Sequence, residues 1–466
     1  MSPANADHAS RARAVAGAEW RLHLEEGRAL FRLAVPIALI ALVNMGMSVT
    51  DGVMVSLIFG TDALAAVAVG SDLYSIVFYL GAGVLGGLAP FYTAAVTHLD
   101  AEEKASLVRV GWMTVCLLAI ASVPIVWLAP SWLKGLGLEA ALLEQGRGYT
   151  QTMALTLVPM LGVMLYRTIL TAAEQPKVFL RVTLAMLPLN AVANYLLMTG
   201  PGPLPALGPT GAGTSSLLVA LMTLAVLVAI ARRASNGARP AHSARACFDW
   251  LGLIAVIRIG LPIGIATVAE VGIFLGATLY AATLGAADVA AHTLTLRTAG
   301  IAYAVPAALL QASMVRMARA ESLEDPRHRH SVITSSLGLA LLCGTIICLL
   351  MVGVAGSLAA SFFDESHMGL KAAKLAFGLL ILLGLIDLVG GPGSATTGLL
   401  RGRKDTRTPM VYMLVGYWLI GAPLGLYLCE VLDFGVTGLW TGLAAGTLTT
   451  TLLSLARLFS TSRQHR

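Results

Sequence analysis

Twelve long apolar runs constrain the fold of this chain more than any other feature. A helix needs about 20 predominantly apolar residues to cross the hydrocarbon core of a bilayer. Only 12% of the 466 residues are charged and 57% are hydrophobic, whereas soluble proteins are about 25% charged. The sequence therefore predicts an all-α polytopic membrane protein. The twelve transmembrane helices are expected near residues 31–57, 64–96, 107–131, 151–172, 179–199, 208–232, 251–284, 289–316, 332–358, 371–399, 408–430 and 436–459.

The distribution of Lys and Arg predicts the orientation of these helices. Basic residues lie before the first span, after the last span and in alternate connections, such as Arg232–Arg258 and Arg401–Arg407. The remaining connections are poor in them, and 200–211 has none. Because cytoplasmic loops carry the excess of Lys and Arg, both termini are expected on the cytoplasmic side of the membrane. The membrane is expected to be a bacterial inner membrane. The net charge of +6 then needs no nucleic-acid partner.

The two halves of the chain resemble each other at an almost constant separation. Three pairs of segments match in order, at offsets of 226, 225 and 227: Arg32–Pro36 with Arg258–Pro262, Gly60–Ala66 with Gly285–Ala291, and Leu207–Gly211 with Phe434–Gly438. Since each half has six spans, both enter the membrane in the same direction and form parallel repeats. The pattern predicts two pseudo-symmetric six-helix lobes with a substrate cleft between them.

This repeat sets the expected domain bounds. They are a cytoplasmic tail at 1–30, an N-lobe at 31–233, a cytoplasmic inter-lobe loop at 234–250, a C-lobe at 251–460 and a C-terminal tail at 461–466.

Motifs for ATP hydrolysis and for common hydrolytic chemistry are absent from the sequence. It contains no GxxxxGK[ST], HExxH, GxSxG or CxxC pattern, so neither an ATP-driven motor nor an enzyme is expected. The five cysteines have no metal-ligand spacing, and we expect no cofactor. Transport would therefore draw on an ion gradient.

Four acids, Asp51, Asp72, Glu270 and Asp387, lie well inside apolar spans, and a carboxylate in the membrane is costly unless it faces a partner or a wet cavity. Glu270, Asp387 and Asp51 are the candidate coupling residues. Burial raises the pKa of a carboxyl group, whereas a bound cation favours its charged form. A proton, Na⁺ and a cationic substrate can therefore compete for one acid, which is the minimal chemistry of an antiporter.

Several segments around these acids resemble one family of transporters. The acids stand in MSVTDGVMVSLIFGTDALAAVAV (Asp51), GLPIGIATVAEVGIFLGATL (Glu270) and DLVGGPGSATTGLLRGRKDTRTP (Asp387), LPLNAVANYLL supplies Asn190 and Asn194, and LGAADVAAHTLTL supplies His292. From about Leu30 to Arg457 the chain resembles the multidrug and toxic compound extrusion (MATE) family, in its bacterial NorM-like branch, which has the MOP-flippase type of fold.

The resemblance implies efflux of cationic or amphiphilic compounds coupled to inward movement of Na⁺ or H⁺. It assigns Glu270 and Asp387 to a C-lobe cation site, where Na⁺ is one candidate, and Asp51 with Asn190 and Asn194 to an N-lobe polar site. The expected partners are a small-molecule substrate and membrane lipid, and the chain is expected to be a monomer.

The chain also departs from the family pattern near its acids. Leu383 and Met47 stand one turn before Asp387 and Asp51, where some members carry tyrosine. The choice between Na⁺ and H⁺ therefore stays open.

The repeat predicts one further contact. Asp72 plus the offset of 225 is Arg297, and related residues on cleft-lining helices can meet at the pseudo-two-fold axis. We therefore expect an ion pair between Asp72 and Arg297 across the lobes. The alternative is a separate partner for each within its own lobe.

Other interpretations remain open at this stage. Asp51 and Asp387 are either ion ligands or structural hydrogen-bonding residues, and His292 fits helix packing better than a proton relay. The function is alternatively that of a dedicated exporter of one endogenous metabolite, or of a lipid-linked saccharide flippase. The offset of 226 places Asn44 opposite Glu270, so the C-lobe ion site is expected to have no equivalent in the N-lobe.

Overall fold

The structure, a computed structural model, describes the backbone of residues 3–203, 205–235 and 249–464 and the side chains of residues 20–203, 205–233 and 249–461. All regular structure in these residues is helical. The α-helices are α1 (Pro3–Phe59), α2 (Thr61–Gly86), α3 (Ala89–Thr97), α4 (Ala101–Trp127), α5 (Ala129–Gly135), α6 (Ala140–Ala172), α7 (Pro176–Thr199), α8 (Thr210–Ser235), α9 (Trp250–Leu284), α10 (Ala286–Ala302), α11 (Ala304–Ser322), α12 (Pro326–Phe362), α13 (His367–Gly402), α14 (Arg407–Met413), α15 (Ala422–Glu430) and α16 (Gly435–Gln464). A π-helical segment, Leu414–Gly421, joins α14 to α15.

The described residues contain twelve helical spans that are long and apolar enough to cross a membrane. The predicted fold class is therefore confirmed. The spans are Trp20–Phe59, Thr61–Thr97, Ala101–Trp127, Ala140–Ala172, Pro176–Thr199, Thr210–Arg233, Trp250–Leu284, Ala286–Ser322, Pro326–Phe362, His367–Gly402, Arg407–Glu430 and Gly435–Thr461. Several are longer than their apolar cores, because a helix continues into polar sequence once its backbone hydrogen bonds are made. The expected inter-lobe loop at 234–250 lies almost wholly outside the described residues.

Backbone conformation repeats along the chain in the same way as the sequence. Residues with positive φ occur at matching places in the two halves, with separations of 225 to 230 residues. The pairs are Gly60 with Gly285, Leu99 with Glu324, Glu174 with Lys404, and Gly208 with Gly435. Left-handed residues typically end one helix and redirect the chain into the next. The two halves therefore share their turn geometry as well as their motifs.

The helices pack into two compact units whose composition does not follow chain order. The N-terminal unit comprises Leu39–Val268, and the C-terminal unit comprises Ala269–Arg466 together with Met1–Ala38. Helix α6 is central to the N-terminal unit, where it packs against α2, α4 and α8. Helix α13 has the same place in the C-terminal unit, against α11, α12 and α16. The first part of α1 thus packs with the second repeat, and the first part of α9 packs with the first.

Paired glycines hold the first part of α9 in the N-terminal unit. A methyl group at Gly83 of α2 would lie 2.4 Å from the Cα of Gly264, and one at Gly87 would lie 2.6 Å from the Cα of Gly260. Two glycines four residues apart, one in α2 and one at its C-terminal cap, thus face two glycines four residues apart in α9, and the backbones touch. Small residues permit this close approach of membrane helices, where van der Waals packing drives association.

Replacing Gly83 with Ala is expected to destabilise the protein, because its Cβ would overlap a neighbouring backbone that has no flexible atoms to yield. Overpacking of this kind costs about 1–3 kcal/mol, which a lowered melting temperature in detergent would reveal. Gly86 is the matched control, since a Cβ there meets nothing within 4 Å. Equal melting temperatures for Gly83→Ala and Gly86→Ala would contradict the proposed contact.

A buried ion pair holds the first part of α1 in the C-terminal unit. Arg316 of α11 donates from Nε to Glu26 Oε2 at 3.0 Å and from Nη2 to Glu26 Oε1 at 2.5 Å. Both side chains are at most 7% exposed, and His328 Nε2 lies 3.5 Å from the same carboxylate. Leu30, Leu33 and Ile37 of α1 add an apolar contact with α11.

Glu26→Ala is expected to lower the stability of the protein strongly. Removing one partner of a buried pair leaves an uncompensated charge, at a cost of about 3–5 kcal/mol. Glu144 is the comparison residue, because it pairs with Arg147 at 3.3 Å but is 71% exposed, and an exposed pair contributes about 1 kcal/mol or less. Melting curves in detergent would show the difference, and similar losses for the two variants would be evidence against the pair's role.

Candidate functional site

Glu270 lies on α9 and finds its partners on later helices of the C-terminal unit. It is half-buried, and the side chain of Tyr303 lies close to its carboxylate. Tyr303 occupies the one-residue break between α10 and α11. The guanidinium of Arg401 and the phenol of Tyr417 are close enough to Glu270 to interact with it electrostatically.

Asp387 lies in the middle of α13, where it is 7% exposed. Its Oδ2 atom is buried without a hydrogen-bond partner among the described residues. Tyr417 interacts electrostatically with Asp387 as well as with Glu270, and its hydroxyl lies 3.1 Å from Thr447 Oγ1 of α16. Tyr417 is therefore the common neighbour of the two acids that sequence reasoning assigned to one site.

Tyr417 lies within the π-helical segment Leu414–Gly421. A π-helix inserts an extra residue into each turn, and such segments are often found at functional sites. Within Leu414–Gly421, the Tyr417 hydroxyl reaches Thr447, while the indole of the next residue, Trp418, donates to the Ala269 carbonyl at 3.0 Å. Consecutive side chains thus reach two different helices.

Arg401 adds a buried positive charge to this site. Its side chain lies in the last turn of α13, is 7% exposed, and interacts with both Tyr303 and Glu270. Its Nε atom has no hydrogen-bond partner among the described residues. The distribution of Lys and Arg assigned Arg401 to a basic connection on the cytoplasmic side. Nothing in the hydropathy pattern indicated that it lies beside Glu270.

The three residues expected at the N-lobe polar site lie together in the N-terminal unit. The Asn194 amide donates to Asp51 Oδ1 at 2.5 Å and to Asn190 Oδ1 at 3.4 Å. Both asparagines are fully buried, because α7 turns them inward one above the other. Tyr149 of α6 is a further neighbour of Asp51, which sequence reasoning missed because an isolated tyrosine in an apolar span has no distinctive pattern.

Asn194→Ala is expected to destabilise the N-terminal unit, because the Asp51 carboxylate would lose its hydrogen-bond donor. An unsatisfied buried polar group costs about 1–3 kcal/mol. Thr199→Ala is the control, since the Thr199 hydroxyl bonds only to a carbonyl of its own helix at an exposed position. Melting curves would distinguish them, and an unchanged Asn194→Ala protein would mean that the amide does not stabilise Asp51.

The other polar candidates have simpler surroundings. His292 is fully buried and accepts a hydrogen bond from the Trp440 indole at 3.1 Å, with Thr278 Oγ1 2.9 Å from its other ring nitrogen, which is a packing arrangement. Asp72 and Arg297 are both exposed and belong to different units. Their pairing stays a prediction of the sequence repeat.

Known proteins resemble this chain both in sequence and in fold. The MatE family matches residues 36–196 and 262–427 of the chain. A probable multidrug resistance protein NorM of Rhizobium meliloti is 30% identical over 452 residues, which cover 96% of the chain and 95% of the relative. Another, of Burkholderia mallei, is 32% identical over 440 residues, covering 93% and 92%. The crystal structure of the eukaryotic MATE transporter AtDTX14 has a TM-score of 0.83, with 17% identity, and covers 96% of this chain and 99% of that one.

Proposed function

The chain belongs to the MatE family of multi-pass membrane transporters, and from that premise we propose that it is a secondary antiporter. It exports cationic or amphiphilic organic compounds in exchange for Na⁺ or H⁺ that moves inward. The observation that carries this proposal is the Tyr417 phenol, whose surroundings in the C-terminal unit include both Glu270 and Asp387. The sequence has no nucleotide-binding motif, which favours an ion gradient as the energy source.

The chemistry of the cluster suits exchange of cations. Hard cations take oxygen ligands, and the cluster supplies carboxylate, phenol and hydroxyl oxygens from Glu270, Asp387, Tyr303, Tyr417 and Thr447. Arg401 brings one positive charge close to Glu270. Entry or exit of the coupling cation therefore changes the net charge of the site, and such a change has a large electrostatic energy in a low-dielectric region. Binding of the coupling ion then favours one arrangement of the transporter, and binding of substrate favours another.

Asp51 with Asn190 and Asn194 forms a second polar site with a different role. The Asn194 amide already donates to Asp51 and to Asn190, so this site responds to the coupling ion by rearranging hydrogen bonds. The Asp72–Arg297 ion pair remains part of the proposal. If transport by a double charge-swapped variant is no better than by either single variant, the direct pair is wrong.

The protein is proposed to lie in the bacterial cytoplasmic membrane with both termini inside. The excess of Lys and Arg in the corresponding connections supports this orientation. Labelling of single cysteines introduced near Trp20 and Thr461 with a membrane-impermeant reagent in intact cells tests it. Labelling is expected only after the cells are permeabilised.

Neutralising the two acids is the decisive test of antiport. The purified protein in liposomes is expected to move ethidium against its gradient when a Na⁺ or a proton gradient is imposed. Glu270→Gln and Asp387→Asn together should reduce the gradient-driven rate at least tenfold, about 1.4 kcal/mol or more, because no carboxylate remains at Tyr417 to bind the coupling ion.

Glu144→Gln is the control for this experiment, since that acid is exposed and outside the cluster. Gradient-driven ethidium transport that survives in the double variant would refute the mechanism. Comparison of Na⁺ with H⁺ gradients in the unaltered protein identifies the coupling ion.

A further inference from the structure

Trp418 connects the π-helical segment to α9 at the turn that carries Glu270. Its indole Nε1 donates to the carbonyl of Ala269 at 3.0 Å, and Ala269 directly precedes Glu270 in the chain. All of these residues belong to the C-terminal unit. The hydrogen bond therefore acts on the backbone of α9 one residue from the acid.

Gly272 provides the room for this contact. A Cβ atom at Gly272 would lie 3.3 Å from Trp418 Cζ2, so the indole ring rests along the α9 backbone where a side chain would push against it. Trp418 is 46% exposed, so burial on all sides does not hold the ring in place. The hydrogen bond and the glycine contact define its position.

The Trp418–Ala269 hydrogen bond lies at the start of the part of α9 that belongs to the C-terminal unit. Ala269 is the first residue of α9 that belongs to the C-terminal unit, and the preceding part of the helix packs in the N-terminal unit through Gly260 and Gly264. An α-helix has 3.6 residues per turn, so a slip of one residue turns a side chain by about 100°. Such a turn would carry Glu270 away from Tyr303, and a fixed point at Ala269 opposes it.

Tyr417 and Trp418 then act on the same site from one segment. Tyr417 is the common neighbour of Glu270 and Asp387, while Trp418 holds the backbone that presents Glu270.

We propose that Trp418 is a positioning residue for the coupling ion: its hydrogen bond to Ala269 holds the Glu270 turn of α9 in the orientation that binds the cation. This inference rests on the proposed antiport. An alternative is that Trp418 is a membrane-interface aromatic residue or a packing residue, for which the ring matters and the indole N–H does not.

Trp418→Phe separates these two roles, because it keeps an aromatic ring and removes the N–H donor. A net hydrogen bond contributes about 0.5–1.5 kcal/mol. The half-saturating concentration of the coupling cation in the ethidium assay is therefore expected to rise about 2- to 10-fold, with a maximal rate within about twofold of the unaltered protein. For a proton-coupled transporter this rise is a shift of the pH profile to lower pH.

Trp440→Phe is the matched control. Trp440 also donates its indole N–H in the C-terminal unit, to His292 at 3.1 Å. It packs in the same apolar core as Tyr417, but its hydrogen bond goes to α10 and not to the Glu270 turn of α9. Its removal is expected to lower the melting temperature without moving the cation dependence. An equal shift in both variants would make the effect a general consequence of destabilisation and overturn the proposal.

The outcomes also distinguish this inference from the proposed function. If Glu270→Gln abolishes coupling and Trp418→Phe leaves the cation dependence unchanged, the positioning role is wrong and the antiport stands. If neither variant changes it, the antiport mechanism is wrong. Should Trp418→Phe not transport at all, the cation-dependent rise in melting temperature of the purified protein gives the same comparison, and a rise equal to that of the unaltered protein overturns the proposal.

Discussion

A carboxylate removed from water is costly unless another side chain pairs with it, and three acids of this protein have such a partner. Glu270 is met by Tyr303, Asp51 by Asn194, and Glu26 by Arg316. In each case the partner comes from a different helix. Backbone groups are satisfied within each membrane helix, so it is the side-chain acids that require particular neighbours. Supplying those neighbours also decides which helices pack together.

The two acid-bearing helices α1 and α9 occupy equivalent places in the repeat, and each is divided between the two units. Different interactions hold the first part of each helix in its unit. A buried ion pair and an apolar contact hold α1, whereas direct backbone contact at glycines holds α9. Pro36 and Pro262 lie shortly before the points of division at 38/39 and 268/269, and proline removes a helical hydrogen bond there. Asp51 and Glu270 thus lie on the helices whose packing involves both units.

The polar sites of the two units differ in chemistry, although the scaffold repeats. In the N-terminal unit one acid accepts from an amide that also donates to a second amide. In the C-terminal unit two acids lie near phenols, and a guanidinium lies near one of them. Leu383 takes the place where some family members have a tyrosine, and it is a buried packing residue. Tyr303 and Tyr417 nevertheless place phenols beside the acids from other helices. The departure from the family pattern therefore leaves the site with phenolic oxygens.

The sequence by itself determined the twelve spans, the internal repeat, the family and the intramembrane acids, because span length, charge and motif spacing are local properties of the chain. Neither the partners of those acids nor the division of α1 and α9 between units was accessible in this way. Tyr303 and Arg401 are distant from Glu270 in sequence and meet it only through helix packing, and an apolar run of residues does not distinguish a π-helical segment from an α-helix. Tertiary structure decided these features, since they depend on which helix faces touch and on one extra residue per turn.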